Sequence, residues 1–168
     1  MTFERMADRR PVETLVERDD GVVFRMRGAG GGADLPHALV ETSLRVTDGI
    51  WGCVADGVVW TSMRHVSGRQ PPHAAERSER LKKERAASIQ AAEHLADLVG
   101  RLARGDEVLP GETGRAGQPQ EALSSAAAEL ASAATRWAAQ APGDTWTVDW
   151  TAPGRRTRND GRPRRRPR

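Results

Sequence analysis

Eight of the last fourteen residues are arginine: Arg155, Arg156, Arg158, Arg162, Arg164, Arg165, Arg166 and Arg168, with Asp160 the one acid among them. A guanidinium is always charged and offers a planar fork of donors that fits a phosphate. A run carrying +7 would therefore attract a nucleic acid by displacing its counterions, without reading base sequence. The other 154 residues hold 18 basic and 22 acidic groups, so the body carries −4 and the whole chain +3. DNA or RNA is the expected partner. A solvated extension explains the same residues, because arginine outnumbers lysine throughout (only Lys82 and Lys83 occur) and a coding bias would produce that excess. A third use is docking on the acidic body, which would mask the tail until a partner displaced it.

Other chemistry-bearing residues are sparse. Cys53 is the single cysteine, and a thiolate nucleophile needs a base within hydrogen-bond reach; His37, His65, His73 and His94 are the histidines that could supply one. If Cys53 and Trp60 share a strand face, His65 points to the opposite side, so an inert, buried cysteine is expected. Glu93, His94 and Asp97 lie within one turn of a helix, a commonplace exposed arrangement. No second cysteine or paired histidine spacing suggests a metal, and no cofactor is expected. The glycine-rich stretch Gly28 to Ala33 lacks both a Gly-Lys-Ser/Thr and a full G-x-G-x-x-G spacing, which favours a surface loop over a nucleotide site.

The elements that would position these residues follow from period and punctuation. Residues 74–104 read as one long amphipathic helix, with Leu81, Ser88, Ala92, Leu95, Val99 and Leu102 on one stripe and Gly105 as its stop. At 1.5 Å per residue it would span roughly 45 Å, so the mixed-charge arm Arg77 to Arg85 is expected to project past the core. Residues 119–141 read as a second, alanine-rich helix, in which Leu123, Leu130 and Trp137 recur every seven residues, as in a coiled coil, around Ala127 and Ala134. Its natural partner is the first helix, giving an antiparallel helical hairpin. Alternatively its face of Leu123, Ala127, Leu130, Ala134 and Trp137 meets another protein or a second copy of the chain.

The N-terminal half reads as strands. Asp20-Gly21, Asp48-Gly49 and Asp56-Gly57 each sit between β-prone runs, and Asp-Gly is a strong hairpin signal. They predict a first hairpin from Val12 to Val16 and back through Val22, Phe24 and Met26, then strands at 42–47, 50–55 and 58–65. In that register Cys53 faces Leu44 on one side and Trp60 on the other, and Val46 faces Trp51. Asp34 to His37 supports at most one helical turn. Thr145 to Trp150 alternates, predicting a last strand over 145–151 with Trp146, Val148 and Trp150 as core anchors.

The expected architecture is α+β over residues 1–152: an antiparallel meander at about 12–66, the two helices, a late strand, and a disordered basic tail at 153–168. One cysteine precludes an internal disulfide, no apolar run approaches the length of a membrane span, and the charged N-terminus lacks a signal-peptide core; a cytoplasmic protein without a membrane segment is expected. The leading functional expectation is a non-enzymatic protein that holds nucleic acid through its arginine tail. The alternative is an interaction or adaptor protein, homodimeric in one version, and the remote one a small enzyme without a recognisable motif.

Overall fold

A computed structural model describes residues 1–6, 12–27 and 34–150; the glycine stretch of residues 28–33 and the arginine tail lie outside them. The described residues form an α+β structure with the chain order β1 (Thr2–Glu4), β2 (Glu13–Glu17), β3 (Val23–Arg27), α1 (Asp34–Ser43), α2 (Ile50–Asp56), β4 (Met63–Ser67), α3 (Ala74–Glu84), α4 (Ala86–Arg104), α5 (Pro110–Arg115), α6 (Gln120–Ala138) and β5 (Thr145–Thr147). The strands make one sheet in the order β4-β3-β2-β1-β5, with every neighbouring pair antiparallel. None of the described helices is long and apolar enough to cross a membrane.

The first hairpin forms as its alternation predicts. Val16, Phe24 and Met26 point inward while Leu15, Arg25 and Arg27 point out. Its turn is a three-residue loop, closed by Arg18 N–H donating to Val22 C=O at 3.1 Å and by Val22 N–H donating to the Asp20 carboxylate at 3.1 Å. β1, at the very start of the chain, joins β2 on one side and β5 on the other. β5 is shorter than the expected strand, although the Met1 and Val148 backbones still exchange two hydrogen bonds of 2.8 Å beyond its end. Val148 is buried, and Trp146 and Trp150 pack against the sheet's core as expected of anchors.

The other two Asp-Gly pairs do not make hairpins. Asp48-Gly49 leads into α2, and Gly57, at φ +111°, ends it as a left-handed cap whose N–H bonds back to Val54 C=O. A glycine that tolerates positive φ serves a helix C-cap as well as a hairpin turn, so the dipeptide alone does not choose between them. The strands expected at 42–47 and 50–55 are instead the end of α1 with a turn, and α2; of the strand expected at 58–65, only the part from Met63 is extended. The predicted pairing of Cys53 with Leu44 and Trp60, and of Val46 with Trp51, therefore does not exist. Burial overrides the β-propensity of Trp51, Cys53 and Val54, all 3% exposed or less, because α2 is wedged under the sheet.

α1 is the middle layer of the molecule. Leu35 and Ala38 face the cluster built on Phe3, Val16, Phe24, Met26 and Trp51, while Val40 and Leu44 face a second cluster with Leu95, Val99, Leu123 and Leu130 from α4 and α6. Each fully buried side chain of this kind contributes about 1.5–3 kcal/mol by leaving water.

The long helix breaks at Arg85, which adopts φ −107° and ψ 14° between α3 and α4. The break lets the charged arm fold back rather than project. Ser78 is buried and accepts the Val59 N–H at 2.9 Å, Arg77 donates to Asp56 C=O at 3.1 Å, Arg85 pairs with the Asp56 carboxylate at 2.6 Å, and Lys82 lies over the Trp60 ring. Two of these contacts fall on Asp56 at the end of α2 and two on the loop that follows it.

Candidate anion-binding face of the sheet

The helices cover one side of the sheet and leave the other to solvent. On the open side the cross-strand register lines up Arg64 of β4, Arg25 of β3, Leu15 of β2, Thr2 of β1 and Thr147 of β5 as a lateral row, each residue directly opposite the next. Arg25 and Arg64 are therefore paired like charges, an arrangement that costs a sheet stability. Arg27 lies two residues along β3, and Thr61 and Ser62 precede β4 in the chain; together with the two opposed arginines they line an open depression of about 380 Å³.

Neutralisation within this patch is incomplete. Glu13 is the one carboxylate paired there among the described residues, its oxygens lying 3.1 Å from Arg27 Nε and 3.8 Å from Arg25 Nε. Arg64 makes no ion pair among the described residues. Two of the three guanidinium groups thus share one carboxylate, Glu4 and Glu17 lie farther along the same outer face, and the hydroxyls of Thr61 and Ser62 add polar groups that can bond to an oxyanion. Chemically the depression suits a phosphate oxygen: charge-assisted donors gathered at one spot.

The alternation Phe24-Arg25-Met26-Arg27 was enough to put Arg25 and Arg27 together on one outer face. Arg64 escaped notice because the expected strand ending at 65 was paired with the wrong neighbours. The eight tail arginines, Arg155 to Arg168, lie outside the described residues.

The remaining candidates separate cleanly. Cys53 is wholly buried in α2, with its sulfur 3.7 Å from Asp48 C=O, and burial pushes its thiol pKa up despite the nearby Arg85; none of the described contacts joins it to a histidine. His65 stacks edge-on against Phe24. Glu93, His94 and Asp97 are exposed on α4, as a commonplace helix surface would be: Glu93 meets His37 at 3.3 Å across from α1, and Asp97 pairs with Arg101 at 3.0 Å. Among the described residues no three metal-ligating side chains converge. On α6, Leu123, Ala127 and Leu130 are buried within the chain's own second cluster and Trp137 packs against the first, leaving Ala134 exposed at the edge of a cleft beside α4.

Glu41 is the chemically notable residue that sequence reading passed over. It is 2% exposed on α1 and caps α2 from outside, accepting the Ile50 N–H at 2.7 Å and the Trp51 N–H at 3.0 Å where Gly49 has no side chain to do so. Burial outweighs these backbone donors and pushes its carboxyl up to about 7. Its role is to join two helices. Comparison with protein-family models, with curated proteins and with solved structures gives no match for this chain.

Proposed function

We propose that this protein holds nucleic acid through the phosphate backbone, without reading base sequence. The observation that carries the proposal is the segregation of charge: a body of −4 is followed by a segment of +7 built from eight arginines. The three arginines on the open sheet face support it, because they place further guanidinium groups on a surface that no described helix covers. Such binding releases counterions, so affinity falls steeply with salt.

The test is a salt titration of oligonucleotide binding by the full chain and by a chain ending at Gly154, which retains every described element. If each tail arginine neutralises one phosphate, the full chain gives a log–log slope approaching about −7 on duplex DNA, and the truncated chain a much shallower one. Identical binding by both chains would remove the tail from the mechanism, and no binding by the full chain would end the proposal. The reading of the α6 face as a partner surface gains no support, since four of its five residues are spent on intrachain packing.

A further inference from the structure

We propose that the open face of the sheet is an interface between two copies of this chain, related by a twofold axis that runs along β2 and passes over Leu15. The outward charged residues of the strands are equal in number and sorted by strand: Arg25, Arg27 and Arg64 on β3 and β4, and Glu4, Glu13 and Glu17 on β1 and β2. A face with no net charge and two halves of opposite sign complements itself. β2 is the middle strand of the sheet and Leu15 its middle residue, so this apolar side chain, 41% exposed, stands at the centre of the face with the charges around it. An apolar centre inside a polar rim is the anatomy of a specific interface.

The register supplies the geometric match. Arg27 and Glu4 stand directly opposite Glu13 from its two sides, as Arg25 and Thr2 stand opposite Leu15, so β3 and β1 hold these side chains at equal offsets from β2. A half-turn about β2 lays β3 of one protomer over β1 of its partner. Arg27 then meets Glu4 of the partner subunit, and by symmetry Glu4 meets the partner's Arg27. Leu15 meets Leu15 of the partner subunit, while Arg25 and Arg64 fall over hydroxyls, those of Thr2 and Thr147 of the partner subunit. Packed sheets stand about 10 Å apart, a gap that an arginine and a glutamate reaching toward each other close. Glu13 and Glu17 face their own copies across the axis, which opposes association, although Glu13 is already held by Arg27 and Arg25. Four inter-strand spacings and the length of a five-residue strand make the face about 19 Å by about 17 Å. That is small for a permanent dimer, so the pair is transient and sensitive to salt. The nucleic-acid reading uses the same three guanidinium groups, so oligonucleotide and second copy exclude one another on this face.

The test is sedimentation equilibrium of the full chain from about 5 µM to about 300 µM without nucleic acid, so its outcome is independent of the oligonucleotide titration. At about 20 mM salt the wild type should show a reversible monomer–dimer equilibrium, weakened roughly tenfold at about 0.5 M. Leu15→Glu, Arg27→Glu and Glu4→Arg, all on the solvent side of the sheet, should each weaken association by roughly tenfold or more. An equimolar mixture of the Arg27→Glu and Glu4→Arg chains should recover it, because each then meets an opposite charge. Arg27→Gln should give a smaller loss in the same direction, and serves if thermal melting shows that a charge reversal disturbs the fold. A wild type that stays monomeric at every concentration and salt would overturn the proposal. A dimer indifferent to salt or to Leu15→Glu would lie on another face, and association that Arg27→Glu strengthens would be the arginine tail on the acidic body; either result removes this interface. Single variants that weaken association without recovery in the mixture would break the pairing of Arg27 with Glu4, and with it the axis.

Discussion

The two faces of the sheet are written in the same strands, one residue out of step, and they answer to different demands. On the inner face Phe3, Val16, Phe24, Met26 and Met63 are at most 7% exposed, and each is held by neighbours from α1, α2 or another strand. On the outer face Arg25, Arg27 and Arg64 are exposed, and two of them stand directly opposite one another. The inner residues determine that this sheet forms and what lies beneath it. The outer ones could be exchanged for many polar residues without loss of the fold, and some exchanges would improve it. The outer face keeps like charges directly opposite one another at Arg25 with Arg64 and at Glu4 with Glu13, a cost that the packing of the inner face does not impose.

That contrast breaks first on the inner face. Phe24→Ala removes a ring that is 1% exposed and packs edge-on against His65, leaving a cavity between sheet and helices. Urea denaturation should show a loss of about 3–5 kcal/mol. A loss below about 1 kcal/mol would mean that the inner face is no more demanding than the outer one.

The next effect belongs to Glu41, the polar exception inside the core. Its carboxyl is raised from 4.5 to about 7 in the folded chain, so between those values the folded state keeps a proton that the unfolded state has released. Its contribution is fully present below about pH 4.5 and is lost as pH rises through about 7, a change of roughly 3 kcal/mol at 1.36 kcal/mol per unit. Asp34, also raised by burial, adds a slope of the same sign. Urea midpoints of wild type and Glu41→Gln across pH 4.5 to 8 separate the two: the variant should start less stable, because it has one acceptor oxygen for the Ile50 and Trp51 N–H groups where the carboxyl uses two, and should lose less as pH rises. Parallel curves would show that Glu41 does not titrate in this window.

Legibility followed the same divide. The first hairpin was readable because Val16, Phe24 and Met26 recur at every second position and are its buried apolar residues, and α6 because its seven-residue recurrence places Leu123 and Leu130 against α4. Residues 34–56 were misread for a physical reason. Asp48-Gly49 and Asp56-Gly57 have the chemistry of turns, and Trp51, Cys53 and Val54 have the propensity of strands, yet the seven-residue α2 exists through burial and a cap supplied from α1 by Glu41. A cap that comes from nine residues away leaves no local signature. The break at Arg85 has no local signature either, and there Arg85 pairs with Asp56 on another element. Of the candidate site, Arg25 and Arg27 were recoverable from alternation alone. Their juxtaposition with Arg64 required knowing that β4 pairs with β3 across the intervening α1 and α2.

The smallest effects sharpen the comparison most, because they move stability and binding in opposite directions. Arg64→Gln removes one half of an exposed, unfavourable cross-strand pair, so the fold should gain a few tenths of a kcal/mol while oligonucleotide affinity falls. Glu13→Gln does the reverse. It releases Arg25 and Arg27 from their shared carboxylate, costing the fold less than about 1 kcal/mol, and raises the local positive charge, so affinity should rise at low salt. Thermal melting and anisotropy on the same two variants give four numbers, and only a binding face predicts the crossed pattern. Were the arginines merely solvated surface, the two stabilities would still shift in these directions while both affinities stayed at the wild-type value.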